Sequence, residues 1–182
     1  MTFTRMDEST AEQWLEIGAR TNENQGRVAD RMLMLLRSLA QITDGFGTDQ
    51  LTHCLQTATL AEESGADDEV VFAALMHDVG KAISVPNHPA IAAEMIRPYV
   101  RAEVYQMIRV HQDFQGRHYY AHFGGDPEAR ENHRSSLSAE QFDLAARFAD
   151  DWDQIAFDPA YPTLPLEHFE PLVRQVTSKA RM

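Results

Sequence analysis

The chain has 182 residues, 43% of them apolar, and its 16 basic and 28 acidic side chains give a formal net charge of -12. This size suits one compact domain, which we expect to span residues 1–182, and an acidic chain without a basic cluster is not expected to bind nucleic acid. The single cysteine, Cys54, excludes an internal disulfide. Neither a signal-peptide pattern nor an uncharged stretch of roughly 18 residues occurs, so we expect a cytoplasmic protein with no membrane partner.

Three helices are predicted in the first third of the chain. Residues 9–19 and 27–41 have amphipathic patterns, and the second carries apolar residues at spacings of three and four. We expect these two helices to form a packed N-terminal lid within residues 1–47. A cap at the start of residues 48–64 predicts a third helix, which carries His53.

The fourth predicted helix is the most apolar part of the sequence. Residues 70–76 are seven consecutive uncharged residues, followed directly by His77 and Asp78. Such a run fits a helix that is buried on all sides, so the two polar residues at its end are expected to be buried as well. An ionised carboxylate in an apolar interior needs an opposite charge, several hydrogen bonds or a metal ion. The pair therefore either satisfies itself at the helix end or binds metal, and the two oxygens of Asp78 can bridge two cations.

Two further helices each place a histidine toward the interior. Residues 87–96 form a short predicted helix with His88 in its first turn, and residues 101–113 form the next. In that second helix, His111 continues an apolar face, which is where a buried metal ligand belongs.

The last third of the chain is less regular. Residues 114–125 are aromatic and glycine-rich, which we interpret as a pocket wall, and residues 126–138 are a polar connection expected at the surface. Residues 139–154 are predicted as one long helix and residues 166–177 as the last. No convincing strand pattern occurs, so we expect an all-α helical bundle with a metal site at its centre.

The inward-facing histidines and acids come from five predicted helices, and they are His53, His77, Asp78, His88, His111 and Asp153. Asp150 and Asp151 are alternatives to Asp153. A lone histidine on an apolar face is usually a core residue, but the joint placement favours a site for two metals bridged by Asp78. A ligand set of nitrogen and oxygen atoms without thiolates favours iron, manganese, magnesium or zinc. Residues 48–182 are thus the expected metal-binding core.

The order His, His-Asp, His, His, Asp resembles the HD-domain superfamily of metal-dependent phosphohydrolases and di-iron oxygenases. The segments 50–58, 64–67 and 73–80 are most similar to the 2-amino-1-hydroxyethylphosphonate dioxygenases, and the likeness extends to about residue 173. Residues 3–7 together with 114–116 also resemble a group of predicted HD phosphohydrolases.

The resemblance implies an all-helical HD fold with two iron ions in a mixed-valent Fe(II)/Fe(III) pair, with manganese, magnesium or zinc as alternatives. It assigns one iron to His53, His77, Asp78 and Asp153. It assigns the second to His88, His111 and the shared Asp78. In the oxygenases of this group, the substrate hydroxyl chelates the ferric ion and dioxygen binds at the ferrous ion.

The same resemblance indicates residues for chemistry and substrate binding. Lys81 completes a His-Asp-x-Gly-Lys motif similar to that of inositol oxygenase, so Asp78 and Lys81 are the expected catalytic residues; alternatively, Lys81 only extends to solvent from a helix end. A lysine of the phosphonate enzymes is replaced by Gln115, while Arg117 can take an oxyanion bidentately. The expected substrate-binding set is Lys81, Arg117, Phe46, Gln115 and Tyr119. A pocket of Phe46, Phe114, Tyr119 and Tyr120 would also suit a quaternary ammonium; alternatively, some of these rings are core residues.

Three functions fit these residues. The first is a di-iron oxygenase that oxidatively cleaves a small hydroxylated anionic substrate, such as the C–P bond of an organophosphonate, with dioxygen as second substrate. The second is a metal-dependent phosphohydrolase of a nucleotide or phosphate ester, in which the same metals generate hydroxide. The third is a non-catalytic binding module, which a complete ligand set disfavours.

Overall fold

The computed structural model describes residues 3–178 and 180–181, and within these ranges every regular element is helical. The prediction of an all-α fold is confirmed. The eight α-helices are α1 (Ala11–Gln25), α2 (Val28–Ser38), α3 (Gln50–Glu63), α4 (Asp68–Met76), α5 (His88–Ile96), α6 (Ala102–Gln115), α7 (Ala139–Arg147) and α8 (Leu166–Thr177). In the described part of the chain, no helix combines the length and apolarity needed to cross a membrane.

Helix α4 lies at the centre of the molecule. Every residue of its apolar run from 70 to 76 is buried, and the helix packs against α3, α5, α6 and α8. The side chain of Asp67 caps its first turn by accepting hydrogen bonds from the backbone N–H groups of Glu69 and Val70, at 3.1 and 3.2 Å. The helix is therefore buried on all sides, as its sequence predicts, and its C-terminal end lies deep in the core.

The two N-terminal helices differ in how they pack. Helix α2 buries one face and contacts α3 and α8, whereas α1 buries no residue. The expectation of a packed lid is wrong for α1. Only Trp14, Leu15 and Ile17 are large and apolar in this 15-residue helix, so it has little surface to gain by packing.

A second, smaller core lies between α6 and α7. Phe114 is wholly buried there, with its ring centroid 4.8 Å from that of Phe142. The prediction that residues 114–125 line a pocket is therefore wrong for Phe114. Phe114 also cannot contribute to the predicted aromatic pocket for a quaternary ammonium. Residues 126–138 were expected at the surface, but Arg130 is buried.

The predicted long helix 139–154 is interrupted. Helix α7 ends at Arg147 and continues as a π-helical segment, Phe148–Asp153, in which the N–H of Gln154 donates to the carbonyl of Ala149 at 3.2 Å. This segment buries Asp153 while leaving Asp151 exposed. Single π-helical turns inside helices often mark functional sites.

Candidate metal centre

Six buried side chains converge beside the C-terminal end of α4. They come from α3, from the two residues that follow α4, from the first turn of α5, from α6 and from the end of the π-helical segment. They are His53, His77, Asp78, His88, His111 and Asp153. The most exposed of them, His88, shows only 5% of its surface to solvent. The structure thus brings together the histidines and acids singled out in the sequence.

The first group of ligand atoms, which we call site one, comes from His53, His77, Asp78 and Asp153. His53 Nε2 lies 3.0 Å from His77 Nε2 and 3.1 Å from Asp153 Oδ1. Asp78 Oδ2 lies 3.5 Å from His53 Nε2 and 3.4 Å from His77 Nε2. Donor atoms that each bind one cation at about 2.1 Å lie about 3 Å from one another, so the four atoms are spaced as ligands of one metal.

The second group, site two, comes from Asp78, His88 and His111. Asp78 Oδ1 lies 3.1 Å from His88 Nε2 and 3.6 Å from His111 Nε2, and the two imidazole nitrogens are 3.2 Å apart. Site two therefore offers two histidines and one carboxylate.

The carboxylate of Asp78 is divided between the two sites. Its Oδ2 atom faces site one and its Oδ1 atom faces site two. Neither Asp78 Oδ1 nor Asp153 Oδ2 accepts a hydrogen bond from the described residues, although both atoms are buried. Buried carboxylate oxygens without donors are costly, and a bound cation is one of the few ways to offset that cost.

The orientation of the four histidine rings is set by backbone carbonyls. The Nδ1 atoms of His53, His77, His88 and His111 face the carbonyl oxygens of Ala156, Ala74, Val85 and Ile108, at 2.9, 2.7, 2.7 and 2.7 Å. Since a carbonyl can only accept, each Nδ1 carries a hydrogen, so each ring in its neutral form turns an Nε2 lone pair inward. Pairs of such lone pairs at 3.0 and 3.2 Å repel unless a cation lies between them. The residues therefore fit two metal ions, and carbonyl-held rings are usual for metal-binding histidines.

The electrostatics of the cluster also favour a cation. Burial lowers the pKa of His77, but the charges of Asp78 and Asp153 outweigh it and raise the pKa to about 10. Burial raises the pKa of the two carboxyls, but the charge of His77 and the close contacts with the histidine nitrogens hold the pKa of both well below the usual range. A region that holds a proton this firmly on an imidazole attracts a divalent ion for the same reason.

Gly80 allows the two sites to lie next to each other. The short 3₁₀ turn Val79–Ala82 runs against the first turn of α5, and a Cβ atom on Gly80 would lie 2.3 Å from the carbonyl oxygen of His88. Only glycine permits this approach, which places Asp78 beside His88.

Lys81 points into the centre. Its Nζ atom donates to Asp78 Oδ2 at 2.6 Å and to Gln50 Oε1 at 3.0 Å, and it lies 5.9 Å from the centroid of the Phe46 ring. Burial lowers the pKa of Lys81, but the charge of Asp78 raises it overall, so the side chain is a cation. The sequence alternative, in which Lys81 only extends to solvent, does not match this inward position.

The other predicted substrate residues differ in their burial and in their contacts with the metal centre. Phe46 stacks on Phe157, with centroids 4.9 Å apart, and Phe157 stacks on the ring of His53 at 4.1 Å. Tyr119 is half-buried, and its pKa is raised mainly by burial, with a further contribution from the charge of Asp153. Arg117 is exposed on the turn that follows α6.

Gln115 contacts a metal ligand. Its Nε2 atom donates to Asp153 Oδ1 at 3.0 Å, which is the oxygen that faces site one. The structure therefore places this predicted substrate residue against the metal centre itself.

The two alternatives to Asp153 lie elsewhere. Asp150 pairs with Arg130 at 3.0 Å and with His118 at 2.8 Å, and Asp151 is exposed near Arg147. The remaining histidines also lie outside the centre, since His133 contacts Asp113, His168 contacts Glu62 and His122 is exposed.

Sequence reasoning overlooked three residues around the centre. Phe157 covers the His53 ring, Gln50 accepts from Lys81, and Arg130 binds Asp150. Gln50 precedes His53 by three residues, so helical spacing places the two on one face of α3 and could have indicated it. Phe157 and Arg130 lie in irregular segments, where spacing carries no such signal.

A family model described as HD domain matches residues 51–158, which is more than half of the chain. The match contains all six converging histidines and acids. No curated protein sequence matches the chain. The family match agrees with the resemblance found in the sequence, and so do the helical fold and the buried cluster that fits metal ions. The chain therefore belongs to the HD-domain family.

Proposed function

We propose that this HD-domain protein is a di-iron oxygenase that oxidatively cleaves a small hydroxylated anionic substrate, such as an organophosphonate at its C–P bond. The observation that carries the proposal is site two, where His88, His111 and one oxygen of Asp78 form a two-histidine, one-carboxylate set. Such a set with open coordination positions is typical of non-haem Fe(II) oxygenases.

The ligands of site one support a second iron of different oxidation state. Site one has two carboxylate oxygens, from Asp78 and Asp153, whereas site two has one. The carboxylate of Asp153 belongs to site one alone, and this additional negative charge favours the Fe(III) ion at site one. Two irons held by these residues would supply the redox chemistry that an oxygenase needs.

The residues around the metals would bind and orient the substrate. The ammonium of Lys81 donates two hydrogen bonds, to Asp78 and Gln50, so its third N–H group would attract an anionic group of the substrate. We assign the half-buried Tyr119 to the wall of the substrate site. Phe157 covers the ring of His53 and Phe46 stacks on Phe157, so this pair would limit the access of water to that side of site one. We assign Arg117, which is exposed two residues beyond Gln115, to the outer end of the anion.

Hydrolysis of a phosphate ester is the competing function, because HD-family membership and the same six ligands are compatible with it. The two reactions differ in their need for a redox-active metal and for oxygen. An oxygenase requires iron and dioxygen, whereas zinc or manganese suffices for a hydrolase.

The test is a metal analysis and a substrate screen. Protein purified without added metal should contain two irons per chain and show a mixed-valent spin signal. Among hydroxyphosphonates and phosphate esters, the substrate should consume dioxygen one for one and not react anaerobically. Ester hydrolysis that persists without oxygen at more than about one turnover per second, within the ordinary range for enzymes, would contradict the proposal. Asp78→Asn is the inactive control for both assays.

A further inference from the structure

The π-helical segment Phe148–Asp153 carries three acids, and two of them contact other elements. Asp153 faces site one, whereas Asp150 faces Arg130 and His118. A π-helical turn is rarely the preferred backbone state of a sequence, and contacts must hold it. Relaxation of this segment to α-helix would rotate Asp153 about the helix axis and move Oδ1 away from His53.

Three side chains from other elements hold the segment. Gln115, the last residue of α6, donates to Asp153 Oδ1 at 3.0 Å. Arg130 donates to both oxygens of Asp150, at 3.3 and 3.0 Å, and His118 lies 2.8 Å from Asp150 Oδ1. We call Gln115, His118 and Arg130 the clamp.

Arg130 is the least expected member of the clamp. It is only 7% exposed, and it forms an ion pair with Asp150 at 3.0 Å. A buried guanidinium needs a hydrogen-bonded anion, so Arg130 fixes Asp150 in one position. Asp151, the next residue, is exposed. Its one ion pair among the described residues is a long one, 3.9 Å, to the exposed Arg147 on the preceding helical turn, so Asp151 does not hold the segment against another element.

We propose that the clamp positions Asp153 for metal binding at site one. Gln115 acts directly on the ligand oxygen, and Arg130 with His118 acts through Asp150 and the π-helical backbone. The proposal assigns Gln115 a positioning role instead of the substrate contact expected from the sequence. It rests on the dinuclear centre proposed above and is independent of the reaction that the centre performs.

The test measures metal affinity at site one alone. In a His111→Ala background, which weakens site two, anaerobic titration with Fe(II) reports on site one. Gln115→Leu and Arg130→Met should each weaken this binding by about tenfold to a hundredfold, the usual effect of removing a group that supports a metal ligand. Arg130→Lys should restore part of the affinity. Asp151→Asn is the matched control and should bind Fe(II) as the background does.

Unfolding of the metal-free variants separates positioning from general damage to the fold. Gln115→Leu removes a single hydrogen bond, so its metal-free form should unfold at nearly the denaturant concentration of the background. Unchanged Fe(II) affinity in both Gln115→Leu and Arg130→Met would overturn the clamp. An unmodified protein that fails to bind two metals would contradict both the clamp and the proposed function, whereas loss of affinity in the Asp151→Asn control would contradict the clamp alone.

Discussion

The two oxygens of Asp78 serve different sets of histidines. Oδ2 lies 3.4 Å from His77 Nε2, whereas Oδ1 lies 3.1 Å from His88 Nε2. The bridging role follows from this geometry, since one carboxylate group contributes to both sites. His111, by contrast, supplies its Nε2 atom only to site two.

Substitution of these two residues should therefore have unequal effects. Asp78→Asn should lower metal occupancy at both sites, because the amide replaces a charged bridging ligand, while His111→Ala should remove chiefly one metal per chain. Elemental analysis after dialysis measures both. His168→Ala, an exposed histidine paired with Glu62, is the control and should keep the full metal content. Two metals per chain in both Asp78→Asn and His111→Ala would exclude the bridging assignment.

At the scale of elements, the approach of the turn Val79–Ala82 to α5 decides whether the two sites can share Asp78. Gly80 lies so close to the backbone of His88 that a Cβ atom would be 2.7 Å from the His88 Cα. The obstructing atoms belong to the backbone and cannot rotate aside.

Gly80→Ala should therefore displace the start of α5. We expect a loss of stability of about 1–3 kcal/mol from overpacking, together with loss of metal from site two. Denaturant unfolding and metal analysis measure the two effects. Gly18→Ala is the matched control, because this helical glycine of α1 has nothing within 4 Å of its added Cβ; alanine there should stabilise by about 0.5–1 kcal/mol. Equal stability and equal metal content of the two variants would show that Gly80 is not needed for the close approach of the turn Val79–Ala82 to α5.

At the scale of the whole molecule, metal binding and stability are coupled. In protein stripped of metal by a chelator, a proton on His77 offsets the two carboxylates, because its pKa is raised from 6.5 to about 10. A folded-state pKa above the unfolded value gives a stabilisation that is complete below pH 6.5 and is lost as the pH rises through about 10. The lowered pKa values of Asp78 and Asp153 affect stability in acid: the protein loses stability as the pH falls below 3.8, the ordinary pKa of an aspartate.

The chelated protein should thus lose stability between about pH 6.5 and pH 10, whereas the metal-loaded protein should lose less, since the cation takes the place of the proton. The free energy of unfolding in urea, measured with and without metal across this range, tests the expectation. Parallel pH curves for the two forms would argue that the metals do not bind at His77. Chelated His168→Ala should follow the chelated unmodified protein.

The sequence by itself was enough to predict an all-helical fold, because its helices have clear apolar periods and α4 is a continuous apolar run followed by His77 and Asp78. The HD fold was implied by the resemblance of its histidine and aspartate order to that superfamily. It also singled out the four histidines and Asp78, since His77, Asp78 and His111 follow or continue an apolar helical run, and it named Asp153 together with two alternatives. These are local properties, and neighbouring residues along the chain determine them.

Only the tertiary structure distinguished Asp153 from Asp150 and Asp151. That choice depends on a π-helical segment, which arises from contacts with Gln115, His118 and Arg130 on distant parts of the chain. Tertiary packing likewise decided that Phe114 is core, that α1 is exposed, and that Lys81 turns inward to Asp78. In each case the outcome depends on which surfaces meet, and periodicity along one helix does not contain that information.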